Sequence, residues 1–85
     1  MAIDDRELVR RVDELRSRLI SGGNTRWSEA LADAIGGGAT GTEILGRLAV
    51  TLDGVRRDRA AVGRDDRRRA ARLRRAVVRL LRRPQ

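Results

Sequence analysis

Eighty-five residues carrying a formal charge of +8 make one domain at most, and a chain this short buries only about 60% of its unfolded surface on folding. It has no cysteine and no histidine, which excludes a disulfide framework and leaves zinc only carboxylate ligands, so neither metal nor cofactor is expected. The opening Met1-Ala2-Ile3-Asp4-Asp5 is acidic where a signal peptide is basic, and no apolar run approaches the ~18 residues of a membrane span, so a cytoplasmic location and no membrane span are expected.

The first segment is predicted helical from Asp4 to Ser21. Leu8, Val12, Leu15 and Leu19 recur at helical spacing, and Val9 and Ile20 are read as widening the stripe. Asp4, Asp5 and Glu7 near its start and Arg16 and Arg18 near its end suit the helix dipole. Gly22-Gly23 supplies the stop. A short second helix is predicted over 25–35, capped by Asn24 or Thr25, with Trp27, Ala30, Leu31, Ala34 and Ile35 on one apolar face. Trp27 is the only aromatic residue; it is read as a core anchor, with an interface anchor as the competing role. Gly36-Gly37-Gly38 ends this helix and is expected to be the most mobile internal stretch.

The third helix is predicted over 41–58. Thr40-Gly41-Thr42-Glu43 is a capping box, and Leu45, Leu48, Leu52 and Val55 form its stripe. Two interior glycines cost about 1 kcal/mol each relative to Ala; Gly46 is read as a point of close helix approach and Gly54 as a bend. The fourth helix is predicted over 65–83, with Asp65 as its cap. Ala70, Leu73, Val77 and Leu80 face inward, joined by Val78 and Leu81. A single bent helix from Thr42 to Arg83 is the competing reading, with Gly63 against it. No stretch alternates as a strand does. The expected fold is all-α, a small three- or four-helix bundle.

Charge is divided along the chain. Residues 1–53 hold seven Arg against nine Asp and Glu, a net of −2; residues 54–85 hold thirteen Arg against three Asp, a net of +10. All twenty basic residues are Arg, a mark of a GC-rich, bacterial genome. That bias accounts for the residue type but not for the clustering. Arg68, Arg72, Arg75, Arg79 and Arg82 repeat at spacings of four and three, one row along the last helix. Like charges at i+4 repel by a few tenths of a kcal/mol each, so the row disfavours the free helix. Solvent, an acidic protein, an acidic stretch of the same chain, nucleic acid or an anionic membrane could offset it. The membrane is disfavoured because the apolar face lacks Trp or Phe.

Other motifs fail on context. Gly36-Gly37-Gly38-Ala39-Thr40-Gly41 fits the dinucleotide fingerprint literally, but a helix precedes it where a strand is required. As a phosphate-binding loop it has Thr42 where lysine is needed. A helix-turn-helix alignment of Leu31, Ile35, Gly36 and Leu45 puts Thr42 at an apolar position and leaves one arginine on the reading helix, too little for base readout. With no His, Cys, Lys or Tyr, nucleophile and base are lacking, and the acidic pairs Asp4-Asp5, Asp13-Glu14 and Asp65-Asp66 sit on adjacent helical positions that do not face one another. The sequence is therefore read as a non-enzymatic interaction module: an adaptor, a regulator, or an inhibitor of the immunity or antitoxin kind. Its expected partner is an acidic protein or a second copy, with no small-molecule substrate. Nucleic-acid binding through the Arg68–Arg82 row is the alternative.

Overall fold

The computed structural model describes residues 4–37 and 40–83. Its four helices are α1 (Asp5–Ser21), α2 (Thr25–Gly36), α3 (Gly41–Arg57) and α4 (Arg64–Leu81). Each begins and ends for a local reason. The Asp4 carboxylate caps α1 by accepting the Glu7 amide at 2.8 Å. At its other end, the Asn24 amide donates to the Leu19 carbonyl at 2.7 Å and the Gly23 amide to Ile20 at 3.0 Å. This is a Schellman closure, and Gly23 takes the left-handed φ of +81° that it needs. The Thr40 hydroxyl accepts the Glu43 amide at 3.2 Å and starts α3.

Between α3 and α4 the chain turns at Asp58, whose Oδ1 accepts the Ala61 amide at 3.1 Å. The turn drops Val62 into the core, 2% exposed. The six residues from Asp58 to Gly63 thus separate two helices, and the single bent helix is excluded. Gly63, not Asp65, occupies the cap position of α4, and it offers no side-chain acceptor. Asn24 likewise caps α2 by position without a side-chain bond. Helix α4 ends at Leu81, two residues before the predicted end at Arg83, where the Arg82 amide closes onto the Val78 and Arg79 carbonyls; the mobility expected of the loop at Gly38 falls on a residue outside those described.

The helices pack as a closed ring: α1 on α2, α2 on α3, α3 on α4, and α4 back on α1. A radius of gyration of 12.1 Å matches the roughly 12 Å of a compact chain of this length. The core holds Leu8, Val12, Leu15 and Leu19 of α1, Leu31 and Ala34 of α2, Leu48, Leu52 and Val55 of α3, Val62, and Ala70, Leu73 and Val77 of α4. Trp27, Ile35, Leu45 and Leu80 pack against it, partly buried. Each large aliphatic side chain removed from water contributes about 1.5–3 kcal/mol.

Val9, Ile20 and Leu81 are corrections: all three are exposed. Val9 sits next to Leu8 and Ile20 next to Leu19, so each points about 100° round the helix from the buried stripe. Neither α3 glycine has the role read from the sequence. A Cβ on Gly46 would meet nothing within 4 Å, whereas one on Gly54 would lie 2.5 Å from Cη2 of Trp27. Gly54 is therefore the point of close approach, and α3 runs through it to Arg57 without a break.

Candidate functional site

Helix α4 carries the arginine row opposite its buried stripe. At about 100° per residue, Arg68, Arg72, Arg75, Arg79 and Arg82 fall within about 80° of one another, and Ala70, Leu73 and Val77 lie about 140–200° away. All five arginines are exposed. Among the described residues, none makes a side-chain ion pair or hydrogen bond. Packing of α4 on α1 and α3 holds the row outward as a straight rank about 21 Å long, at 1.5 Å per residue.

The flanking arginines differ. Arg67 is half-buried, and its Nε donates to the Val62 carbonyl at 3.1 Å. Arg74 leans toward Asp53 of α3, 3.5 Å away, in an ion pair whose Nε lacks hydrogen-bond geometry. Arg69 lines the α1–α4 groove with Arg10, Arg11 and Glu14, and Arg72 of the row reaches the same groove. At the other end of that interface Arg18 pairs with Asp66 at 2.7 Å.

Several of the acidic side chains are occupied within the chain. Glu7 pairs with Arg10 and Arg11, Glu14 with Arg10, and Asp13 with Arg16. Asp53 accepts from Arg56 at 2.6 Å and lies 3.1 Å from Arg57. Hydrogen bonds from Arg10, then Arg11, pull the Glu7 carboxyl down to about 2. Such exposed pairs add little stability; their effect is on the field. Glu7, Asp13, Glu14 and Asp53 are thus matched to arginines outside the row, while Asp65, three residues before Arg68, makes no ion pair among the described residues.

Trp27 is tied into the bundle. Its Nε1–H donates to the Asp58 carboxylate at 2.7 Å, and its ring covers Gly54. The indole hydrogen bond, then the Ala61 amide, hold Asp58 below its ordinary value. One residue thus pins α2 to the α3–α4 turn. A second tie joins α1 to α2, where Arg16 Nε donates to the Ser28 carbonyl at 3.0 Å.

Sequence reading missed a further basic cluster. Arg56, Arg59, Arg64, Arg67 and Arg68 surround a depression of about 460 Å³ floored by Ala71. The available signal was the spacing of 64, 67, 68 and 71, one helical stripe. Among the described residues, no three His, Cys, Asp or Glu side chains group as metal ligands. Nor is any helix among them long and apolar enough to cross a membrane. Around the glycine-rich loop, α2 precedes and α3 follows, a helix–loop–helix setting instead of a strand and turn. No family model, curated protein or solved structure matches this chain.

Proposed function

We propose that this protein is a non-enzymatic interaction module that docks an acidic protein surface against the outer face of α4. The observation that supports the reading is the contrast between two sets of charges. Arg68, Arg72, Arg75, Arg79 and Arg82 stand exposed without a partner, while Glu7, Asp13, Glu14, Asp53 and Asp66 each hold an arginine. A row of like charges raises the energy of its own helix, and an external row of carboxylates relieves it through charge-assisted, often bidentate hydrogen bonds. An adaptor, a regulator or an immunity-type inhibitor all fit such a surface, as does one face of a self-associating assembly.

Duplex nucleic acid is the second reading, favoured by the unbroken length of the row. The test uses two probes, poly-L-glutamate and a random-sequence DNA duplex, against the parent and an Arg72→Gln/Arg75→Gln/Arg79→Gln variant. At about 0.15 M salt the parent is expected to bind the polypeptide, the variant to lose it, and the duplex to bind negligibly. Duplex binding whose log–log salt slope flattens by about three units in the variant would instead establish the second reading. Binding of both probes unaltered by the triple change would remove the α4 face from either role.

A further inference from the structure

We propose that the depression where α3 hands over to α4 binds a compact oligophosphate, an anion of two or three linked phosphate groups. Three elements build it: Arg56 from the last turn of α3, Arg59 from the connecting turn, and Arg64, Arg67 and Arg68 from the first turns of α4. Positions 64, 67, 68 and 71 share one stripe of α4, and the small Ala71 in that stripe leaves the hollow between the longer side chains.

Two of the five guanidinium groups are anchored beforehand. Arg67 is fixed through Nε to the Val62 carbonyl at 3.1 Å, and Arg56 through Nε and Nη2 to Asp53 at 2.6 Å. Those bonds leave both Nη groups of Arg67 and Nη1 of Arg56 for an incoming anion. Arg59, Arg64 and Arg68 make no side-chain ion pair or hydrogen bond among the described residues. Two acidic residues, Asp65 and Asp66, share the first turn of α4. Asp66 is drawn to Arg18 at 2.7 Å, and Asp65 lies about 100° round the helix from Arg64. Gly63 caps α4 without a side-chain hydrogen bond, so the first backbone amides of the helix are not taken up by a capping side chain. The turn itself is held in place by Asp58, bonded to the Ala61 amide at 3.1 Å and to Trp27 at 2.7 Å.

The chemistry selects the ligand class. Each phosphate group offers three acceptor oxygens and up to about two negative charges, so one phosphate leaves most of five guanidinium forks unmatched. Linked phosphates satisfy several forks at once without the cost of gathering separate ions. The depression is open to solvent, so the anion is held by charge and charge-assisted hydrogen bonds and not by enclosure. Apart from Ala71 every lining residue is an arginine, so the phosphate chain is what the site reads, and a nucleoside attached to it would project outside. This site shares only Arg68 with the outer row and does not depend on what the row binds.

Calorimetric titration of inorganic triphosphate into the full chain tests the proposal at about 0.15 M salt. Saturable one-to-one binding is expected, with inorganic phosphate weaker by about tenfold or more. Arg59→Gln/Arg64→Gln should weaken triphosphate by about tenfold or more. Neither side chain has an intramolecular partner to lose, so circular dichroism should be unchanged. Arg6→Gln/Arg83→Gln removes the same charge from exposed positions outside both the hollow and the row and should alter affinity by less than about twofold. A nucleoside triphosphate binding as tightly as the inorganic chain, or more tightly, also supports the site and separates the two sources. The proposal is overturned if triphosphate fails to saturate, if phosphate binds equally well, or if the two double variants weaken binding alike. It is also overturned if only the nucleoside triphosphate binds.

Discussion

Alanine at Gly54 and alanine at Gly46 are the same chemical change in the same helix, and the structure assigns them opposite signs. Helix propensity favours Ala over Gly by about 1 kcal/mol at either position. At Gly46 nothing lies within 4 Å of the new Cβ, so the gain is realised. At Gly54 the Cβ falls 2.5 Å from Cη2 and 2.9 Å from Cζ3 of Trp27, against the roughly 3.5–4 Å of a relaxed carbon contact. The ring must retreat by about 1 Å or more, yet its far side is tethered to Asp58 by the 2.7 Å indole bond. Overpacking of this kind costs about 1–3 kcal/mol. That exceeds the propensity gain, and the loss of the indole bond adds to it. For a domain of this size 1 kcal/mol moves the midpoint by about 4–8 °C. Thermal melts followed by circular dichroism should therefore show Gly46→Ala raised by about that interval and Gly54→Ala lowered, with Trp27 fluorescence altered in the second variant alone. Equal stabilisation by both substitutions would refute the assignment of Gly54 as the seat of the Trp27 ring.

Leu48, 1% exposed, should cost about 2–5 kcal/mol when changed to Ala, read as a large fall in denaturation midpoint. The buried Ser28 hydroxyl has no hydrogen-bond partner among the described residues, and an unpaired buried hydroxyl costs about 1–3 kcal/mol. Ser28→Ala should thus stabilise by about 1 kcal/mol or more, while the Arg16 bond to the Ser28 backbone persists; destabilisation in urea melts would contradict this. Asp58 and Glu7 both have depressed folded values. Their contributions are present above the unfolded carboxyl values of about 4 and are lost as pH falls through the folded ones, about 2 for Glu7. Trp27 emission should change across the Asp58 step, and Asp58→Asn should abolish that acid-dependent change.

Local chemistry made much of the fold legible in advance. Periodicity located all four helices, and the Thr40 hydroxyl cap and the Gly22-Gly23 stop appear where their chemistry requires them. What escaped depended on partners distant in sequence. Gly54 is silent until Trp27 of another helix lies over it, and Val62 resembles a loop residue until the Asp58 turn aims it inward. Val9 and Ile20 looked apolar enough to bury, but burial is decided by angle, and they sit at the edge of the stripe. The arginine row was readable because five residues on one helix need only a period to align them. Arg56 and Arg59 joined the second cluster only through the turn between α3 and α4.

The claim that the outer face of α4 is a contact surface is met most directly by backbone amide chemical-shift mapping of the full chain during titration with poly-L-glutamate. The largest changes should follow the period of Arg68, Arg72, Arg75, Arg79 and Arg82, with little response from the exposed faces of α2 and the first turns of α3. Changes centred on α2 and α3, or spread evenly over every exposed arginine, would contradict the account.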